Sequence, residues 1–353
     1  MAGVNQQEIA DRLGLSKATV SRCFTNHAGI SAVTRAKVFQ LAAELGYTHL
    51  ESRSKKAQKK AKRKPTNFSV LICTDTDEYF REDYESPGEQ ILAGVSEYAQ
   101  LNNAQVDVHF IPPDVTGIDD PAFKKIKGLK ERQSRGIFLI YPFPSPIIDE
   151  LSVRFPLISL IDQVQQHSID CVDVDHFDGI STVVDHLVEQ GHERIGFYTR
   201  AYTVDASWSF RRYSAFLEKM ARLKLKVTQK DTIGIYPRAF PDVAKGIEEA
   251  AERTRQGVTA WVCAADHQAY DLINDFKKRG LKVPRDVSVT GFDGIQQPGA
   301  TPSLTTIKIP FRSIGMTGAE RLATRIRKRF GEKQHIYIAG DLQEGKSVGP
   351  PRA

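Results

Sequence analysis

From Asn67 onward the chain alternates strand-length apolar runs with amphipathic stretches, and few folds accept that rhythm. The apolar runs are Phe68 to Cys73, Val106 to Ile111, Gly136 to Tyr141, Leu157 to Ile161, Cys171 to Val174, Arg194 to Tyr198, Thr232 to Tyr236, Ala260 to Cys263 and Val287 to Phe292. Several are nearly continuous in apolar residues, as strands covered on both faces must be. Between them, residues 87–102, 119–133, 177–190, 207–223, 240–256 and 266–279 show helical periodicity. Strands that alternate with helices close as parallel, doubly wound sheets, and nine strands over this length suggest two of them. Open parallel sheets bind ligands beyond their strand C-termini, so two hinged together would make a cleft.

Residues 5–46 read as three helices ahead of that core. Asn5 is placed to cap the first, with Glu8 three residues on, and Ile9, Ala10 and Leu13 form its apolar stripe before Gly14. Ser16 caps a short second helix in which Val20 faces inward and Lys17 and Arg22 present long cationic donors outward. Ser31 caps a third, where Val33, Val38, Leu41, Ala42 and Leu45 recur at helical spacing up to Gly46. Two short helices joined by a tight glycine turn and completed by a longer one form a helix-turn-helix, whose second helix enters the DNA major groove. Any small three-helix bundle shares that pattern, but the charge separates the two readings. Residues 1–66 hold 13 Lys and Arg against 4 Asp and Glu, whereas the remainder holds 36 against 39. The net charge of +6 therefore belongs to the head, as a polyanionic partner requires. Lys17, Ala18 and Arg22 then face bases, Ser16, Thr19 and Ser21 hold phosphates, and Asn26 lies just beyond the helix.

The stretch 51–65 carries eight cations and one acid, and no core can form from it. It is either a solvated linker or a hinge that orders on DNA, with Lys55, Lys56 and Lys59 neutralising phosphates and releasing counterions.

Other classes find less support. Cys23, Cys73, Cys171 and Cys263 lie far apart, without the spacing of a zinc site or a disulfide framework. The first residues lack the basic and apolar regions of a secretory signal, and no apolar run has membrane-spanning length, so a cytoplasmic protein with no membrane partner is expected. Gly340 to Ser347 has the glycine, lysine and serine spacing of a phosphate loop, yet only six residues follow, too few for the helix whose N-terminus would face the phosphates. His176, His186, His192 and His267 have neither metal-ligand spacing nor a nucleophile partner. No catalytic residue, metal or cofactor is expected beyond a small-molecule effector.

Several stretches in order carry a family resemblance. Glu8-Ile9-Ala10, Leu15 to Arg22 and Gly46-Tyr47 closely resemble the headpiece of the LacI (lactose repressor)/GalR family. Asp173-Val174-Asp175 to Gly179, His186-Leu187 and Gly191-His192 to Ile195-Gly196 look like the start of that family's second subdomain. Ala264-Ala265-Asp266, Gly280 to Val289 and Gly291-Phe292-Asp293 are similar to its most recognisable stretch, and Pro302 to Ile307, Pro310 and Gly315 complete it. The resemblance implies an all-α helix-turn-helix headpiece (1–50), a basic hinge (51–66) and an α/β core (67–353) of two doubly wound parallel-sheet subdomains, like type I periplasmic binding proteins. Its N-subdomain would span about 67–163 plus 295–324 and its C-subdomain about 164–294 plus 325–347. The implied protein is a transcription regulator, most simply a repressor, that binds a pseudo-palindromic double-stranded operator as a homodimer. A sugar or related metabolite would sit between the subdomains.

The resemblance also implies effector contacts. The family places an arginine at the start of the helix after the sixth strand and an aspartate after the eighth, which are Arg212 and Asp266 here. Arg211 is an alternative to Arg212, the family's glycine nearby is Ala215, and Asp266 can also serve as a helix N-cap. Tyr79 and Phe80 follow the first strand, where the family places apolar or aromatic contacts, and Asp162, Trp208 and Tyr236 fall at strand ends or adjoining loops. The family's hinge helix has a Pro-Asn start and a leucine that wedges into the minor groove. His49, Leu50 and Lys56 match those positions, which implies cationic phosphate contact in place of leucine insertion. The rival readings are a solute-binding protein of the same core fold and a nonspecific basic DNA-binding protein relying on 51–65.

Overall fold

The computed structural model describes residues 5–24, 29–45, 47, 65–74, 86–130, 133–164, 169–200, 207–234, 243–297, 299–328 and 331–352. Asn26, His49, Leu50, Lys55, Lys56, Lys59, Tyr79, Phe80 and Tyr236 lie outside the described residues.

The head consists of α1 (Gln6–Arg12), α2 (Lys17–Phe24) and α3 (Ala32–Glu44). Each begins where a side chain can satisfy free N–H groups. Asn5 accepts from Gln7 at 2.8 Å and Glu8 at 3.2 Å, Ser16 from Thr19 at 3.0 Å, and Ser31 from Thr34 at 3.0 Å. Ile9, Ala10, Val20, Cys23, Phe24, Val38, Leu41 and Ala42 are buried. Val33 is exposed instead of inward, because it stands about 140° round the helix from Val38 at 3.6 residues per turn. The buried band of α3 is nonetheless wide, taking in Arg35, Ala36, Phe39 and Gln40. It is buried on two sides because α3 packs on α1 and α2 and also on α4 (Pro87–Leu101) and β2 (Ala104–Ile111).

The chain divides into two compact units, the first drawn from residues 1–81, 85–173 and 311–336, the second from 82–84, 174–310 and 337–353. The partition differs from the sequence-based one at 164–173, 295–310 and 325–336. Pairing explains two of the shifts: Cys171 is in register with Ser159 in the first unit, while Thr305 bridges Thr290 in the second.

In the first unit, β1 (Thr66–Cys73) lies between β2 and β3 (Gly136–Ile140), followed by β4 (Leu157–Leu160), β5 (Asp170–Val174) and β11 (His335–Ile338). The pairs from β2 to β5 are parallel. Alternate side chains Leu71, Ile137 and Leu139 pack on α5 (Pro121–Lys124), α6 (Lys127–Lys130) and α7 (Ser145–Arg154) through Phe123, Leu129, Ile147 and Leu151. α4 and α12 (Phe311–Arg327) also pack together, with glycines where they meet. A Cβ on Gly94 would lie 2.0 Å from the Arg312 carbonyl oxygen, and one on Gly315 2.1 Å from that of Ile91. The single helix expected over 119–133 is the pair α5 and α6, and neither α7 nor α12 was anticipated. Pro142 to Pro146 reads as a stiff loop, whereas the structure uses Pro146 in the first turn of α7, where its missing N–H costs nothing.

In the second unit the order is β7 (Thr232–Ile233), β6 (Ile195–Tyr198), β8 (Ala260–Cys263), β9 (Ser288–Thr290), all parallel. Its helices are α8 (His176–Glu189), α9 (Ser207–Arg222), α10 (Val243–Arg255) and α11 (Asp266–Lys278). β10 (Thr306–Lys308) pairs antiparallel with β12 (Asp341–Gln343), a ribbon the sequence did not announce. The residues after β12 lace along β9. Ser347 is buried, donating to the Val289 carbonyl and accepting the Thr305 N–H, and the Lys346 N–H is spent on Ser303. The phosphate-loop spacing is thus occupied by a strand-edge strap. His192 ties this strap to the sheet: Nε2 donates to the Gly349 carbonyl at 2.9 Å, so Nδ1 accepts from the Thr259 hydroxyl at 2.9 Å.

Among the described residues, no helix is long and apolar enough to cross a membrane, and no group of three or more His, Cys, Asp or Glu is arranged to hold a metal ion.

Gly94→Val should cost about 1–3 kcal/mol in a denaturant titration, or prevent folding, because a backbone carbonyl cannot move aside. Burial pushes the His192 imidazole below its usual range, so its stabilising contribution is present above pH about 6.5 and lost as pH falls through the lowered value. Melting temperatures measured down a pH series should therefore fall more steeply below about 6.5 for the wild type than for His192→Gln.

Candidate functional site

Two constellations stand out, one in the head and one in the second unit. On α2, Ser16, Lys17, Ala18 and Arg22 are exposed and Thr19 and Ser21 half-buried, while Val20, Cys23 and Phe24 face inward. Phe24 is held from behind by Phe39 and Tyr47, with ring centroids 5.4 and 5.3 Å away. Ser16 and Thr19 hydroxyls are paired at 2.8 Å, which fixes the start of the helix. The result is a short rigid rod with a small residue, two long cations and hydroxyls on one side, suited to approach a phosphate backbone and base edges. Of the expected DNA contacts, Asn26, Lys55, Lys56 and Lys59 are outside the described residues.

The second constellation centres on Arg212, in α9. It is 5% exposed, whereas Arg211 is half-buried, so helical phase picks out the arginine that turns inward. Its guanidinium lies 4.0 Å from the Phe292 ring centroid and 4.8 Å from that of Trp208. Nη1 donates to Asp293 at 3.1 Å and to the Ala264 carbonyl, and Nε donates to His176 Nδ1 at 3.2 Å. The strand ends of β8 and β9 and the starts of α8 and α9 thereby deliver Ala264, Asp293, His176 and Arg212 to one place, as an open parallel sheet does.

Asp266 lies beside this group in a different role. Ala265 is the N-cap of α11, without a side-chain bond, and Asp266 is the first helical residue. Its carboxyl accepts the Ile295 N–H at 2.6 Å and the Thr306 hydroxyl at 2.5 Å, pinning the chain that runs from β9 to β10. Burial, and then the neighbouring charge of Asp293, push the Asp266 carboxyl up to about 8. Burial also raises Asp293, against the opposing pull of Arg212. One guanidinium faces two buried carboxyls, so the favourable state is an ionised Asp293 paired with Arg212 and a protonated Asp266.

Of the seven expected effector residues, Arg212, Asp266 and Trp208 thus gather within the second unit. Asp162 belongs to the first, just after β4, where its carbonyl accepts from the Ser159 hydroxyl at 2.6 Å. Tyr79, Phe80 and Tyr236 lie outside the described residues. Asp293 and His176 complete the cluster, and sequence reasoning passed over both. The usable signal was that a buried arginine needs an anion, and Asp293 follows a strand directly.

The family model described as "Bacterial regulatory proteins, lacI family" matches residues 6–49, and that of a "Periplasmic binding protein-like domain" matches 184–348. The transcriptional repressor MelR of Bacillus subtilis is 25% identical over 98% of this chain and 98% of its own. The transcriptional regulator CelR in complex with cellobiose shares the fold with a TM-score of 0.66 at 19% identity, covering 98% of this chain and 99% of the other. The lac repressor dimer bound to operator and the anti-inducer ONPF shares it at 0.62 and 23% identity, covering 99% and 100%. The chain therefore carries a head of the kind found in lacI-family bacterial regulatory proteins, followed by a periplasmic-binding-protein-like domain, and is similar over nearly its whole length to a repressor.

Proposed function

We propose that the protein is a cytoplasmic, ligand-responsive repressor that binds a pseudo-palindromic operator as a homodimer, with residues 1–50 as headpiece, 51–66 as hinge and 67–353 as effector core. The observation that carries this reading is the exposed face of Ser16, Lys17, Ala18 and Arg22 on α2, backed by buried Val20, Cys23 and Phe24. One eight-residue helix reads only a few base pairs. Two copies related by a two-fold axis roughly double the contact energy and match the symmetry of the operator. The hinge cations add phosphate contacts that tighten binding on any sequence.

The effector is a sugar or similar polyhydroxylated metabolite. The Arg212 and Asp293 pair supports this, because a hydroxyl can donate to the carboxylate while a neighbour accepts from the guanidinium, and an apolar ring face can lie on Trp208. The cellobiose in the CelR complex points the same way. Ligand bound to this unit would shift the protein between states of different operator affinity by its differential affinity for them, typically about 1–3 kcal/mol of coupling to DNA.

Salt-titrated binding to selected and random DNA tests the head. Arg22→Ala should relax base preference at its contact position by about 1–3 kcal/mol, whereas Lys59→Ala should lower affinity evenly and reduce the salt slope by about one. Unchanged sequence preference in Arg22→Ala would remove that residue from base reading.

Asp266 and Asp293 are separable. Asp266→Ala should destabilise the fold by about 2 kcal/mol, since the Ile295 N–H loses its acceptor and the Thr306 hydroxyl its partner, while Asp266→Asn, whose oxygen can still accept from Ile295 and whose N–H can donate to the Thr306 oxygen as the protonated acid does, should fold normally. A carboxyl whose folded value is raised to about 8 stabilises most below the unfolded value and loses that contribution as pH rises through about 8. Wild-type melting temperature should therefore drop on alkalinisation, with a shallower slope in Asp266→Asn. Calorimetry with sugars should show the ligand loss in Asp293→Asn.

A further inference from the structure

We propose that His176 is a positioning residue for effector binding, its bare Nδ1 lone pair fixing the direction in which the Arg212 guanidinium meets the ligand. This rests on the effector reading above. Arg212 Nε donates to His176 Nδ1 at 3.2 Å, and both side chains are buried. A ring nitrogen that accepts carries no proton, so the imidazole is neutral with its hydrogen on Nε2. Two features hold it in that state. His176 is the first residue of α8, after the Asp175 N-cap, and a helix N-terminus disfavours a cationic side chain. A second cation at that site would also lie in contact with the guanidinium.

The charged groups around the ring come from several elements. α9 supplies Arg212, the segment after β9 supplies Asp293, α11 supplies Asp266 behind it, and the ring's own helix turn carries Asp175 and Asp178. Of the strands packed on α8, β8 brings the buried Cys263 thiol, and β10 and β12 bring Lys308 and Asp341, both exposed.

The geometric consequence is specific. The Phe292 and Trp208 rings lie against the guanidinium, but cation–π contact alone does not set which of its N–H groups points where. The bond from Nε to His176 fixes the group at one edge, and the bonds from Nη1 to Ala264 and Asp293 fix it at the other. Among the described residues Nη2 takes no hydrogen bond, and it is the donor left for a ligand hydroxyl. Without the His176 lone pair the group can rotate and spend Nη2 on the protein.

The test uses the full chain. Nitrogen NMR of histidine-labelled wild type, with the His176 signal assigned by its absence in His176→Asn, should show the neutral Nε2–H tautomer at neutral pH. The chain has two tryptophans, so Trp208 emission can be followed alone in a Trp261→Phe background. His176→Ala should shift that emission, and His176→Asn, whose amide oxygen can accept from Nε, should restore it. Titrations with ribose, glucose, sucrose and cellobiose should show roughly tenfold weaker binding in His176→Ala and near-normal binding in His176→Asn. A proton on Nδ1, or a charged ring at neutral pH, overturns the proposal, and this measurement does not depend on whether the alanine variant folds. Equal weakening in the Ala and Asn variants overturns it as well. A wild type that binds none of the sugars, yet keeps the bare Nδ1 and the emission shift, overturns the sugar reading and leaves the positioning of Arg212 standing.

Discussion

A single buried guanidinium that touches two aromatic rings and faces two carboxyls sets the terms for the second unit. Removing Arg212 from water is expensive unless its charge is matched and its N–H groups are used, and the interior pays that cost with one ionised partner and two neutral acceptors. The second carboxyl then has to keep its proton. Asp266 does so while holding the Ile295 N–H, so the acid that stays neutral is also the group that fixes the loop carrying Asp293. Charge balance and backbone placement are therefore one problem, solved by residues from β8, β9, α8, α9 and α11.

The head solves a different problem. A three-helix unit this small buries too little apolar surface to be secure alone. α3 answers this by burying two sides, one against α1 and α2 and the other against α4 and β2. Arg35 shows how tight the first of these is: its guanidinium donates to the Cys23 carbonyl while burial lowers its basicity. Because α3 is fixed from both directions, α2 can commit its whole outer face to exposure without losing its footing.

Much of this was legible in the residues, and the failures have physical causes. The strands with continuous apolar runs, such as Phe68 to Cys73 and Ala260 to Cys263, and the caps at Asn5, Ser16 and Ser31 are local signals that tertiary context did not override. Helix α12 was missed because Gly315 and Gly318 look like breaks, yet they are where α4 and the Leu160 side chain need room. The ribbon of β10 and β12 was missed because its partners are more than thirty residues apart and each strand is only three residues long. Asp266 shows the limit for sites. Sequence places an acid at the end of β8, but whether that acid faces a ligand or its own backbone depends on where Ile295 and Thr306 return.

The strap after β12 extends the same logic to the edge of the sheet. An open edge strand would leave N–H and carbonyl groups of β9 unpaired. The tail answers with the Val289 N–H bonded to the Ser347 carbonyl, and the buried Ser347 hydroxyl bridges Val289 and Thr305. His192 fastens the far end through Gly349, and Ser288 shares that carbonyl. Since β9 leads directly into Phe292 and Asp293, its position sets the ring that lies against Arg212 and the carboxylate that pairs with it. The residues beyond β12, far from the cluster in sequence, thus act on it through the one strand they hold in place.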